Sequence, residues 1–344
     1  MPKNKTSRPT IGVIMPMLSG FYMGELSATC RQLAKQNNAN LVIIRSGEQR
    51  DFDLDVSLNH LDALLVVLHC ASDRLVKKAL AKNIPVISLA ASYSPLPVEQ
   101  FCSTQRAGIE ALYDWLYTNG HTQIGFCGDL SVNDIRSRFK AYQDSLSKYH
   151  HIYQSEHVFC VDNCALSGGR EAALAFIERK SDCSAVICAT DQNAIGMIEQ
   201  LQHLGWKVPE QVAIVGVDNI FLGKQTHPQL TTVDQQLESL ANQAFQRALQ
   251  RIAGDPFQHE IHHISQKLVV RESCGNTNTN NRTNETQGSI RHALTNVRGL
   301  SPAELFESFY AQAKNGFNSI LDTHGLYGSG FDWACMSTYH SGQL

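Results

Sequence analysis

The chain has 344 residues, 43% of them hydrophobic and 18% charged, with a formal net charge of −3. That length supports one to three domains with a sizeable core. The charge balance provides no broad cationic field for a nucleic-acid backbone, so nucleic-acid binding by this chain alone is not expected.

Lys3, Lys5 and Arg8 stand before an apolar run, Ile11 to Met15. Gly12 and Pro16 interrupt that run and no small-residue cleavage site follows, so no secretory signal is read there. No stretch reaches the roughly 18 consecutive apolar residues of a spanning helix. A cytoplasmic protein with no membrane contact is expected.

The apolar runs then alternate with helical patterns. "TIGVIMP", "NLVIIRS", "LDALLVVL" and "IPVISLAA" read as strands, with a helix starting near Met23 and another around Leu75, Val76, Ala79 and Leu80. Continuous apolar strands between amphipathic helices indicate parallel sheet covered on both faces. The theme repeats. Ile109, Leu112, Tyr113 and Leu116 recur at helical spacing, and "GHTQIGFCG", "SAVICAT" and "VAIVGVD" read as strands. Ala194, Ile195, Ile198, Leu201 and Leu204 form an amphipathic stripe before Gly205, and a long helix from Leu237 is stopped by Gly254. Two sets of βα units suggest two doubly wound lobes with a ligand cleft at the carboxyl ends of their strands.

After Cys274 the character changes. "GNTNTNNRTNETQG" is almost devoid of apolar residues and reads as a flexible linker, about 276–290. Ser301, Pro302 and Glu304 then form a capping box in front of an apolar helical face. The stretch 291–344 is expected to be a helical connector or the start of a further domain.

The motifs of residues 10 to 275 resemble the family of the lac repressor and the sugar-binding periplasmic proteins. "ATDQNAIGMIEQLQHLGWKVPEQVAIVGVDN", "HPQLTTVDQQ", "NGHTQIGFCG", "RFKAY" and "KLVVRES" occur in that family's order. The resemblance implies an α/β fold of two doubly wound parallel-sheet lobes joined by three crossings, the type I periplasmic-binding-protein-like architecture. The first lobe would comprise about 10–102 and 234–257, the second about 103–233 and 258–275. The family closes on sugars, nucleosides or related small polar molecules. Aromatic rings stack on the ligand while charged and amide side chains satisfy its hydroxyls.

Carried over by position, Phe21 and Tyr22 would stack on the ligand from the loop after the first strand; a place in the core is the even alternative. Arg138 of "RFKAY" would donate to ligand oxygens rather than sit as a surface arginine. Asp191 and Asp218 follow buried strands and would contact ligand, with helix capping as their alternative. Gln235 would supply an amide at a lobe crossing, its alternative being a solvent-facing glutamine. The chain departs from the family at Thr104 and Gln105, where Asp-Asn is common before the helix glycine.

No DNA-reading head precedes the first strand, and the resemblance therefore implies a cytoplasmic sensor that passes ligand-driven closure to a C-terminal output domain, diguanylate cyclase foremost. A homodimer is expected. The alternative is the ligand-binding part of a lac-repressor-family transcription regulator whose DNA-binding domain is not in this chain.

Catalytic signatures fail on spacing, so an enzyme is not expected in this chain. "LSGGREAAL" lacks the lysine of a phosphate loop. "DFDLD" (Asp51–Asp55) has Val56 where a calcium loop needs glycine, and "HEIHH" (His259–His263) lacks the order of a zinc helix. The ten cysteines read as core thiols, since neither Cys160/Cys164 nor Cys183/Cys188 has zinc-pair spacing. No cofactor and no metal are expected.

Overall fold

β-Branched and leucine-rich runs of four to six residues are too short for stable helices and become strands buried on both faces. The computed structural model describes residues 8–18, 20–47, 56–259 and 261–275. Its first lobe runs β1 (Thr10–Met15), α1 (Phe21–Gln36), β2 (Asn40–Arg45), β3 (Ala63–Val67), α2 (Asp73–Ala81), β4 (Val86–Leu89) and β5 (Glu99–Ser103). The second runs α3 (Gln105–Thr118), β6 (Ile124–Gly128), α4 (Asn133–Lys148), β7 (Val158–Cys160), α5 (Leu166–Glu178), β8 (Ala185–Cys188), α6 (Asp191–His203), β9 (Ala213–Asp218) and β10 (Thr231–Asp234). The chain then returns to the first lobe for α7 (Leu237–Ala253) and β11 (Ile261–Ile264), and ends in the second with β12 (Lys267–Val269).

The sheets have the orders β11-β5-β4-β3-β1-β2 and β12-β10-β9-β8-β6-β7. Every pairing is parallel except β10 with β12. Each sheet is covered on both faces. Met23, Leu26, Leu240 and Phe245 of α1 and α7 pack on one face of the first sheet, and Leu75, Val76 and Ala79 of α2 on the other. Helices α3 and α4 bring Leu112, Tyr113 and Tyr142 to one face of the second sheet, and α5 and α6 bring Phe176, Ile195 and Leu201 to the other. This is the expected fold: two doubly wound α/β lobes joined by three crossings.

Three details differ from expectation. Residues 261–264, in the stretch assigned above to the second lobe, form β11 and pair with β5 of the first sheet, Ile261 opposite Gln100 and Ile264 opposite Ser103. The third crossing therefore falls at 265–266. Phe21 and Tyr22 lie in the first turn of α1 and not in a loop. Cys160 is exposed and Cys102 and Cys164 are half-buried, whereas Cys30, Cys70, Cys127, Cys183, Cys188 and Cys274 are core thiols. The expected linker, the capping box at Ser301, Cys335 and the "DFDLD" stretch fall outside the described residues.

The glycines of "LSGGREAAL" serve helix packing. A Cβ on Gly169 would overlap the Asn193 carbonyl, and one on Gly196 the Leu166 carbonyl, so their absence lets α5 and α6 approach closely. A buried ion pair fixes α7 to the first sheet. Glu99 of β5, 1% exposed, accepts from the Arg247 Nε and, at 3.2 Å, from its Nη2, with Arg251 Nε 3.1 Å away.

Candidate functional site

In both sheets the strand order reverses beside the first strand of the lobe, between β1 and β3 and between β6 and β8. Helices on either side of such a reversal diverge and open a crevice at the carboxyl ends of the strands. The β9 strand delivers Asp218 to that edge, and the backbone there is unusual. Asp218 has φ of 131° and Asn219 φ of 56°, a region that costs side-chain-bearing residues about 1–3 kcal/mol each.

Five hydrogen bonds hold this turn. Asp191, at the start of α6, accepts from the Ile220 amide at 2.9 Å and from the Thr232 hydroxyl at 2.5 Å. The Asn219 backbone amide donates to the Thr232 hydroxyl, its side-chain Nδ2 donates to Asp234, and Arg271 Nη2 donates to Asn219 Oδ1 at 2.5 Å. Asp191 is fully buried with both carboxylate oxygens used. It props the turn from beneath, and Asp218 is the residue displayed. The N-cap of α6 is Thr190, whose hydroxyl accepts from the Asn193 amide, so Asp191 does not cap as the alternative had it.

Around Asp218 one polar network ties the second lobe to the second crossing. Gln235, at the second crossing, donates its amide to the Asp218 carboxylate and accepts from Gln105 Nε2 at 3.3 Å. Arg138 of α4 donates through Nε to Gln105 Oε1 at 2.8 Å and through Nη1 to the Ala189 carbonyl, and its Nη1 lies 3.7 Å from Asp218. Arg138 and Gln235 are each 4% exposed, which removes the surface and solvent-facing alternatives. Among the described residues Arg138 Nη2 has no hydrogen-bond partner, which leaves one edge of the guanidinium fork for an incoming oxygen. Gln105, one of the two departures from the family pattern, is thus the bridge between Arg138 and Gln235.

Electrostatics follow from burial. Desolvation and the neighbouring Asp218 push Asp191 up to about 7. Desolvation raises Asp218 to about 6, with Arg138 and the Gln235 hydrogen bond pulling the other way. Tyr22 packs on the first-lobe core and still faces this group, its hydroxyl held well above the ordinary phenol range by burial and by the Asp218 charge. It is therefore a core aromatic whose hydroxyl lies within the field of Asp218.

A cavity of about 940 Å³ opens beside Asp218. Gly20, Phe21, Tyr22 and Glu25 of the first lobe line one side, Asp218, Asn219, Phe221 and Lys224 of the second face them, and Asp234, Gln236 and Glu238 close the end at the second crossing. Phe21 and Phe221, 39% and 66% exposed, present open ring faces. Burial and then the Asp234 charge raise the Glu25 carboxyl. Of the six expected residues, the structure brings Phe21, Tyr22 and Asp218 to the cavity wall. Arg138 and Gln235 meet Asp218 without lining the cavity, and Asp191 lies beneath.

Sequence reading did not single out Gln105, Asn219, Asp234, Arg271, His69 or Asp134 as members of this region. Asp134, at the start of α4, is raised by burial and lowered by Arg138 and by His69 of the first lobe, so the lobes also face each other there. "HEIHH" is spent on packing: His262 stacks on Phe101, and His263 Nδ1 lies 3.4 Å from Cys102 Sγ.

The sequence profile of the family described as periplasmic binding protein-like domain matches residues 113–274. The fold is that of LacI-family ligand-binding domains. The HTH-type transcriptional regulator GalR of Salmonella typhimurium (strain SL1344) is 28% identical over 288 residues, 78% of this chain and 80% of that protein. A LacI family transcriptional regulator from Enterococcus faecium, solved with bound ribose, superposes with a TM-score of 0.69 at 18% identity, covering 77% of this chain and 98% of that one. The lac repressor dimer, solved on its operator with an anti-inducer, superposes with a TM-score of 0.66 at 19% identity, covering 78% and 82%. These relatives are named as regulators or repressors of transcription. The expected diguanylate cyclase output gains no support from them, and the alternative reading is favoured. Among the described residues no helix is long and apolar enough to cross a membrane.

Proposed function

We propose that this chain is the ligand-binding part of a LacI-type transcription regulator, sensing a small sugar- or nucleoside-like molecule between its lobes. The observation that carries the reading is the Arg138–Gln105–Gln235–Asp218 network, which ties the second lobe to the second crossing, where the Gln235 carbonyl accepts from Ser103 Oγ of the first lobe at 3.0 Å, beside a polar cavity. A polyhydroxylated ligand fits such a wall. Carboxylates and amides of Asp218, Asn219, Asp234 and Glu25 accept from and donate to hydroxyls, while Phe21, Tyr22 and Phe221 cover its apolar face. Phe21, Tyr22, Arg138, Asp218 and Gln235 act as direct contacts once the lobes close, and Asp191 acts as the support of Asp218.

Ligand binds both lobes at once and so favours the closed state by its differential affinity. Rotation of one lobe against the other at the three crossings then changes the arrangement of a homodimer in the cytoplasm. The ribose bound to the Enterococcus faecium regulator and the dimeric state of the lac repressor support the ligand class and the assembly. Thermal-shift assays against monosaccharides, disaccharides and nucleosides test the reading. At least one class is expected to raise the melting temperature; a folded protein that responds to none contradicts it.

A further inference from the structure

At the opposite end of the second sheet from the cleft, three metal-ligating side chains converge. His157 stands just before β7, and Asp182 and Cys183 stand just before β8. Their donor atoms, the imidazole nitrogen, a carboxylate oxygen and Cys183 Sγ, all lie within 4.8 Å of one another. His157 Nε2 is 2.6 Å from Asp182 Oδ1. In a tetrahedral zinc site, metal–ligand bonds of about 2.0–2.3 Å place donors roughly 3–4 Å apart. Side-chain adjustments of that size bring these three atoms onto one ion.

Two further features mark the cluster. Strand β6 lies between β7 and β8, and the residue it places there is Gly125. A Cβ on Gly125 would lie 2.9 Å from the His157 carbonyl oxygen and 3.0 Å from Cys183 Sγ, so a side chain at this position would press on the cluster. Burial is also graded: His157 and Cys183 are 5% and 3% exposed, while the Asp182 side chain is 67% exposed. The cluster therefore has two enclosed donors and a solvent edge, where water would complete a fourth position.

We propose that His157, Asp182 and Cys183 form a binding site for a divalent transition metal, zinc by the softness of its donors, at the base of the second lobe. Nitrogen and sulfur donors select zinc over calcium or magnesium. One thiolate and one carboxylate balance the charge of the ion, and the thiol proton passes to solvent on binding. The ion would tie the edge strand β7 to the turn between α5 and β8. Neither Cys160 nor Cys188 takes part, which is why cysteine spacing alone concealed the site.

Cobalt titration of the reduced, metal-free full chain tests this. We expect one equivalent bound with tetrahedral d–d bands and a thiolate-to-cobalt charge-transfer band, displaced by zinc. Cys183→Ser is expected to abolish the charge-transfer band, and His157→Gln and Asp182→Asn to weaken binding by about tenfold or more. Cys160→Ser should leave the spectrum unchanged. Absence of a thiolate band in the wild type, its survival in Cys183→Ser, or its loss in Cys160→Ser overturns the proposal. Should Cys183→Ser fail to fold, the surface change Asp182→Asn decides, and unaltered cobalt affinity there overturns it equally. The outcome is independent of ligand binding in the cleft.

Discussion

Asp191 and Asp218 show how neighbouring residues of one chemical type divide the work. Both stand at the ends of buried strands, yet one holds a strained turn and the other is displayed by it. Their raised pKa values, about 7 and about 6, make a signed prediction. Between the ordinary carboxylate range and about 7, the folded protein binds more protons than the unfolded chain. Unfolding free energy therefore falls as pH rises through that window. Asp191→Asn reproduces the protonated carboxyl and should flatten the dependence. Urea midpoints at about pH 5 and about pH 8 check this, and the difference between wild type and variant isolates the pair from other titrating groups. An identical slope in both proteins would refute the assignment. The residue scale was only partly legible in the sequence. Motif position singled out Arg138, Asp218 and Gln235, which the structure brings together, but it could not tell a propping carboxylate from a displayed one. That distinction depends on Thr232 and Ile220, which are distant in sequence or carry only a backbone amide.

At the scale of elements, periodicity succeeded where strands are continuous and apolar, as in β3, β8 and β9. It missed β5 and β7, because "EQFCS" carries polar residues and "VFC" is only three residues long. In β5 the reason is Glu99, a charge that belongs in a sheet only with Arg247 beside it. Glu99→Ala would leave the Arg247 guanidinium without its buried carboxylate, with only the half-exposed Asp255 at 3.5 Å and the Pro256 and Gln250 oxygens left to it, and should cost about 3 kcal/mol by chemical denaturation. A cost below about 1 kcal/mol would show that the pair contributes no more than a surface bridge. Gly169 of "LSGGREAAL" packs against the adjoining helix α6. Gly169→Ala should destabilise the fold by about 1–3 kcal/mol through overpacking against the Asn193 carbonyl. A neutral substitution would mean that α5 and α6 can separate freely.

For the whole molecule, the two-lobe plan was legible because two runs of βα units and an ordered set of motifs both pointed to it. The third crossing was not. The strand β11 is short and histidine-rich, with Ile261 47% exposed, and only pairing with β5 reveals which lobe it completes. Gln105 bonds to Gln235 at the second crossing, and Gln266 at the third lies against Gly108 of α3. Gln105 and Gln235 also belong to the network around Asp218, so the proposed function would couple ligand contact and lobe rotation at the same hydrogen bonds.

The most direct test is calorimetric titration of the sugar and nucleoside panel into wild type, Arg138→Ala and Asp218→Asn. The account predicts saturable binding of at least one compound to the wild type, weakened about tenfold or more in both variants by loss of charge-assisted hydrogen bonds. Undiminished binding in both folded variants, or no binding by any compound to the folded wild type, would contradict it.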